Sequence, residues 1–352
     1  MNVGIIGAGF VGELHGDAIR QIPGLNIRGV CRTNKNELEK MARKFKAQAY
    51  EDYKNLLADR GIDIVAITTP HHLHTDIAVE AAQLGKHIML EKPMALTLKE
   101  CDKILDAVAD AKVTLNVGFC NRFYKAYQKA KEIIDSGEIG SLVYGVATMS
   151  KVWMEENRRP WHLDRKTGGG MWLTAGIHCL DRLTWLMESE ITAVSGKLYT
   201  RFHNQKADDC GMIFVRYANG SCGTIVSTGY QDGAPKHLTE LTGTKGMISV
   251  DYHGISIGKN GKWRQVEDYS DEESMPWAIL KQWQEFISSI LNNTIAPVTG
   301  SYARGIMEAA FAAEASSYYD KEITLPLDKE CELFIEGLII ENHEEKVKHE
   351  QP

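Results

Sequence analysis

The sequence predicts an α/β protein in which a doubly wound parallel sheet is followed by a second α/β domain built on a large, open, mainly antiparallel sheet. Three observations lead there. An apolar strand runs straight into Gly-x-Gly-x-x-Gly at Gly7, Gly9 and Gly12; strand-like and helix-like segments then alternate through the first third of the chain; and beyond Tyr127 strand follows strand across short turns. Alternation implies a parallel sheet with helices on both faces, whereas consecutive strands imply antiparallel pairing. The chain accordingly divides into 1–123, 124–327 and a charged tail over 328–352.

Taken in order, the first element is a strand over 3–6, and the glycines after it have separable duties. Gly7 permits the tight turn, Gly9 leaves a pyrophosphate room to approach, and Gly12 lets the next helix lie close against the strand. That helix, 11–21, offers unpaired N–H groups and its positive dipole end to phosphates, with Phe10 and Val11 at its start. A second strand over 25–31 supplies the βαβ context that separates a Rossmann dinucleotide site from an ordinary glycine turn. Helices 36–45 and 52–58, strand 62–68, helix 74–84, strand 87–90, helix 98–111 and strand 113–117 follow. Ile64, Val65, Ala66 and Ile67 are apolar without a break, as in a strand covered on both sides. After a linking helix 125–135, strands are expected over 143–150, 191–199, 211–217, 221–228, 237–243 and 246–252. Helices 174–187, 278–291 and 302–319 would cover one face of that sheet and leave the other for a partner subunit, giving a homo-oligomer, dimer or tetramer.

Bulk properties narrow the function. The 352 residues are 43% hydrophobic and 25% charged, an ordinary globular composition without a membrane span. A net charge of -7 offers no basic face to nucleic acid. Seven cysteines without a Cys-x-x-Cys pair read as free thiols of a reducing compartment, and no charged leader precedes the first strand, so a cytoplasmic protein is expected.

Four landmarks carry chemistry: the glycine motif with His15; Thr68-Thr69-Pro70-His71-His72-Leu73-His74; Glu91-Lys92-Pro93; and Gly168-Gly169-Gly170 followed by Gly176, His178 and Asp181. In this order and spacing the chain resembles the Gfo/Idh/MocA oxidoreductases, from Met1 to about Leu327. The resemblance implies hydride exchange between NAD(P) and a sugar, inositol or related cyclic polyol, with Lys92 contacting the reacting oxygen and His178 acting as, or relaying to, the general base. The family usually has an aspartate where Thr174 stands, so Thr174 is a catalytic and substrate-binding candidate that departs from the pattern. At i, i+4 and i+7, Thr174, His178 and Asp181 would share one helix face. The resemblance also implies a cis Lys92–Pro93 peptide.

Cofactor contacts are expected from Gly7, Gly9, Phe10, Val11 and Gly12, from Cys31, Arg32 and Thr33, from Thr68, Thr69, Pro70, His71 and His74, from Glu91, Lys92 and Pro93, and from Arg122 and Trp161. Substrate contacts are expected from Lys92, Arg122, Trp161, His162, Thr174 and His178. Arg32 occupies the place where a carboxylate would bind the ribose 2′-hydroxyl of NAD, and a guanidinium attracts the extra phosphate instead, which favours NADP over NAD. The histidines at 71, 72 and 74 lack a carboxylate or cysteine at telling distance, and no metal is expected. Two other readings remain open: a non-catalytic dinucleotide-binding regulator of the same fold, and a dihydrodiol dehydrogenase or an enzyme of transient glycoside 3-oxidation.

Overall fold

In the computed structural model, which describes residues 1–7, 9–156, 158–270 and 274–339, the chain builds two sheets. The first half alternates β1 (Asn2–Ile6), α1 (Phe10–Ile19), β2 (Asn26–Cys31), α2 (Lys35–Phe45), β3 (Gln48–Tyr50), α3 (Tyr53–Ala58), β4 (Ile64–Ile67), α4 (His74–Gln83), β5 (His87–Leu90), α5 (Leu98–Ala111) and β6 (Leu115–Val117). These strands form a six-stranded sheet in the order β3-β2-β1-β4-β5-β6, every pair parallel. The order reverses between β1 and β4, and the crevice outside the carboxyl ends of strands at such a switch point is where open α/β sheets bind ligands.

Both faces of this sheet are covered. Ile19, Leu38, Met41 and Phe45 of α1 and α2 pack with Val3, Ile5 and Val30, while Ile77, Ala78 and Ile104 of α4 and α5 pack with Ile6, Val65 and Leu90. Each such buried aliphatic side chain contributes roughly 1.5–3 kcal/mol. Asn34, Asp52 and Thr97 cap α2, α3 and α5 by accepting backbone N–H bonds. At the start of α1 stands Gly9, with no side chain to do so.

Beyond α6 (Lys125–Asp135) come β7 (Leu142–Val152), α7 (Ile177–Met187), β8 (Ile191–Tyr199), β9 (Cys210–Tyr217), β10 (Cys222–Tyr230), β11 (Lys236–Gly243), β12 (Gly246–Val250), β13 (Gly254–Lys259), β14 (Lys262–Asp268), α8 (Ser274–Leu291), α9 (Gly300–Tyr319), β15 (Ile323–Thr324) and α10 (Lys329–Ile339). The second sheet has nine strands in the order β14-β13-β12-β11-β7-β10-β9-β8-β15, antiparallel apart from the β7–β10 pair. Its strands alternate in burial. Ala147, Ile213, Val215, Ile225, Leu241 and Ile248 are buried on one face, and Met212, 59% exposed, stands on the other.

The structure departs from the sequence reading at several elements. β3, β13, β14 and β15 were not expected, and β14 shows why: Lys262 to Asp268 is an edge strand, almost all exposed, whose polar residues carry no alternation to read. The expected helix 174–187 opens with a π-helical turn over Trp172–Gly176 before α7. Within the charged tail α10 is helical, and 340–352 lie outside the described residues. The division at 123/124 is also too simple, because Ile279, Trp283, Phe286 and Ile287 of α8 share the core of Val3 and Ile5 in the first sheet.

Candidate active site

The glycine turn fits a dinucleotide, and each glycine does so for a different reason. Gly7 has φ +91°, and a Cβ there would come within 2.5 Å of the Thr69 nitrogen. On Gly12 a Cβ would meet Thr68 Oγ1 at 2.9 Å, which is the close approach of α1 to the sheet. Gly9 differs: its Cβ would meet only the Gly7 carbonyl, at 3.9 Å, so the protein itself has no steric need for glycine there. A ligand approaching the backbone does. The uncapped N-terminus of α1 lies just beyond, and Thr69 Oγ1 is buried without a hydrogen-bond partner. Ala8 is outside the described residues.

The other expected cofactor residues gather at the carboxyl ends of the same strands. Thr68 Oγ1 donates to the Gly7 carbonyl at 2.7 Å and closes the turn. Cys31 holds Gly7 through its carbonyl, at 3.0 Å, while its thiol lies in the core, where burial pushes it up to about 11. Arg32 and Thr33 follow β2, with Arg32 Nη1 3.4 Å from Glu37 Oε2. His74 lies between two carbonyls, Nδ1 2.9 Å from Pro93 O and Nε2 3.1 Å from Thr69 O, tying the turn after β4 to the turn after β5. Burial lowers its pKa, and those carbonyls oppose the shift. His71 Nδ1 donates to Gly168 O at 2.7 Å; burial, then the charges of His74 and Lys92, hold it well below the usual histidine value.

Lys92 is the centre of the reacting end. Its peptide to Pro93 is cis, and its Nζ donates to the Thr174 carbonyl at 2.7 Å. Burial lowers the lysine's pKa, with Glu91 opposing. His178, in the first turn of α7, is held well below the usual histidine value by burial and by the charge of Lys92, so it is a neutral base with Nδ1 buried and unpartnered. Thr174 Oγ1 is likewise buried and unpartnered. The π turn carries an extra residue in its hydrogen-bonded ring, so Thr174 and His178 are not related by regular α-helical spacing.

A hydrogen-bonded chain holds the lysine's neighbour. Trp283 Nε1–H donates to His15 Nδ1 at 2.8 Å. Indole is only a donor, so His15 carries its proton on Nε2, from which it donates to Glu91 Oε1 at 3.0 Å. Glu91 Oε2 accepts the Lys92 backbone N–H at 3.3 Å. Burial alone would raise the Glu91 pKa, but the bond from His15 together with the charges of His15, Lys92 and His74 outweighs it, and the carboxyl ends below its ordinary value. His15 stood among the sequence landmarks; Trp283 did not, and only an expected helix over 278–291 covered its segment.

Arg122 is buried in an ion pair with Asp181, against the rings of Trp185 and Tyr302. That interior pair engages Asp181, which lies one turn along α7 from His178. Trp161 stacks on His162 at 3.6 Å between centroids and meets His71 edge-on at 4.6 Å, so the loop before the glycine run does reach the turn after β4. Burial, with Arg158 nearby, pushes His162 down to about 4. The run itself is sterically required: a Cβ on Gly169 or Gly170 would lie 2.4 Å from His162 O or 2.3 Å from Asp208 Oδ1. Lys151 and Arg158, which the sequence reading did not single out, both lie near enough to Lys92 to disfavour its charge. Among the described residues, no group of three or more His, Cys, Asp or Glu is placed to hold a metal, and no helix is long and apolar enough to cross a membrane.

Known proteins share this fold. Residues 1–119 match the family described as oxidoreductase family, NAD-binding Rossmann fold, and residues 127–249 match the GFO/IDH/MocA C-terminal domain. The scyllo-inositol 2-dehydrogenase (NAD(+)) of Bacillus subtilis is 29% identical over 89% of this chain and 92% of its own length. Levoglucosan dehydrogenase of Pseudarthrobacter phenanthrenivorans is 31% identical over 72% of this chain and 74% of its own. A solved levoglucosan dehydrogenase in complex with NADH and levoglucosan superposes with a TM-score of 0.86 at 24% identity, covering 93% of this chain and 99% of that one.

Proposed function

The chain belongs to the GFO/IDH/MocA family of NAD-binding oxidoreductases, and from that premise we propose that it is a dehydrogenase acting on a secondary alcohol or ketone of a sugar, inositol or related cyclic polyol. The carrying observation is Lys92 Nζ, 2.7 Å from the Thr174 carbonyl, in a site with an unpartnered neutral His178. When bound, the nicotinamide accepts or supplies the hydride. The protein must then remove the hydroxyl proton and hold the developing negative oxygen. Lys92 donates to that oxygen from Nζ. His178 takes the proton at its unpartnered nitrogen, which its depressed pKa keeps unprotonated beforehand. The Trp283–His15–Glu91 chain keeps Glu91 beside the Lys92 backbone, which fixes where the ammonium starts.

The pyrophosphate is assigned to Gly9 and the N-terminus of α1, and Thr69 Oγ1 to a further cofactor contact. Arg32 is assigned to the 2′-phosphate, giving a preference for NADP over NAD. The open face of the nine-stranded sheet, with Met212 exposed on it, is assigned to a second copy of the chain. Sedimentation of a monomer at micromolar concentration would remove that assignment. A cytoplasmic location agrees with cysteines that are all free thiols in the structure, and recovery of the protein outside the cytoplasm would contradict it.

Lys92→Met and His178→Ala test the central reading. Each should lower turnover about 10²- to 10⁴-fold with cofactor affinity nearly intact, and the double variant should lose less than the product of the two. Wild-type turnover in the double variant would leave a dinucleotide-binding regulator as the better account.

A further inference from the structure

The layer under Thr174 and His178 has polar groups that the proton chemistry leaves unused. In the sheet register Met149 of β7 lies between Ser227 of β10 and His237 of β11, and Lys151 is the next residue of β7 on the same face. The π turn rests on this floor, because a Cβ on Gly176 would lie 3.0 Å from Ser227 Oγ. Ser227 Oγ, His237 Nε2, Thr174 Oγ1 and His178 Nδ1 are all buried without partners. Buried polar atoms seldom stay unpaired, and a hydroxylated ligand would pair them.

Charge adds a second requirement. Lys151 and Arg158 share a single carboxylate, Glu155, at 2.8 and 3.0 Å. Arg158 lies over the Trp153 ring at 3.8 Å with its side chain only 8% exposed. Behind them Arg182 is fully buried against the rings of Tyr127 and Tyr252, and among the described residues no carboxylate lies within ion-pair distance of it. Lys92, Arg182 and Lys151 all bear on His178, and Thr174 contributes no charge against them. A cation excess out of bulk water is costly, and an anion within reach relieves it. Of the pair Lys151 and Arg158, Glu155 leaves one positive charge over at that end of the site, which a single carboxylate matches more closely than a phosphate monoester with nearly two negative charges.

We propose that the substrate bears a carboxylate received by Lys151 and Arg158, with Ser227, Thr174 and His237 bonding its hydroxyls, so that the site takes a sugar acid in preference to a neutral sugar. This rests on the dehydrogenase reading, and the experiment therefore measures binding and turnover separately. Glucose, myo-inositol, glucuronate, galacturonate and glucose 6-phosphate are titrated calorimetrically into protein loaded with reduced cofactor, and assayed for turnover with oxidised cofactor. The uronates should bind at least about tenfold more tightly than the neutral compounds, the scale of one charge-assisted hydrogen bond. In Lys151→Gln, and separately in Arg158→Gln, that ratio should fall toward one, with cofactor affinity reporting that each variant is folded. Equal binding of glucose and glucuronate, tighter binding of the phosphate, no binding of either acid, or an unchanged ratio in Lys151→Gln overturns the proposal. Carboxylate-selective binding without turnover upholds it and removes the dehydrogenase reading instead.

Discussion

Lys92 bonds a main-chain carbonyl, and the nearest carboxylate, Glu91, is already engaged by His15 and by the lysine's own backbone N–H. Its ammonium is thus fixed in place without a direct ion pair, and burial has room to lower its pKa. Arg32 presents the converse situation, a guanidinium one-quarter exposed after β2 and paired at the rim with Glu37. Arg32→Asp should weaken NADP about 10- to 100-fold and leave NAD binding within about threefold, read by fluorescence titration of each reduced cofactor. Equal losses for both would show that Arg32 does not meet the 2′-phosphate. Residues of this kind were legible where the reason is local. Gly7, Gly9 and Gly12 sit within one turn, and Lys92 is flanked by its own motif. Arg158, Lys151 and Ser227 were not legible, because a loop and two strands must come together before their purpose exists.

At the scale of elements, α8 and the π turn decide how the site is held. α8 follows the second sheet in the chain yet fills the first sheet's core, and its Trp283 sets the proton position on His15. Trp283→Phe keeps a large apolar ring and removes the donor. We expect it to cost about 1–2 kcal/mol of stability by urea unfolding. His15 could then carry its proton on either nitrogen, so Glu91 would lose its fixed donor. Turnover should fall about tenfold with a shifted pH–rate profile, whereas a purely structural role would leave that profile in place. The strands of the first sheet were readable from apolar runs and glycine punctuation. By contrast, β3 and β15 are too short, and β14 too polar, to carry a period. The π turn has no sequence signature of its own, and the regular spacing assumed from Thr174 to His178 failed there, while His178 and Asp181 keep theirs within α7.

At the scale of the whole molecule, several buried histidines tie stability to pH. His71 and His178 are held well below 6.5, and burial pushes His162 and His237 down to about 4. As pH falls below about 6.5 the unfolded chain binds protons that the folded chain refuses, so stability is present above that value and is lost toward about pH 4. Asp208 acts in the opposite sense. Burial raises it from 3.8 to about 8, so between those values the fold retains a proton that the unfolded chain gives up, and this group favours the fold less as pH rises. The histidines outnumber it, and the melting temperature should decline between about pH 6.5 and about pH 4.5 in scanning calorimetry. A flat or rising melting temperature across that interval would contradict these burial assignments.

The return of α8 also sets an order on synthesis. Chains emerge amino terminus first, and domains usually fold as they emerge. Here the first sheet cannot close when β6 appears. The surface of Val3, Ile5 and Ala66 waits for Ile279, Trp283 and Phe286, and Val117 waits for Gln282 and Val298, which bond its carbonyl at 2.9 Å and its nitrogen at 3.1 Å. A nascent chain stalled after residue 123 would therefore hold its glycine turn on an unfinished sheet with apolar surface open to chaperones. Firm dinucleotide capture would begin only once α8 has cleared the ribosome, so the earliest-made site would be among the last to mature.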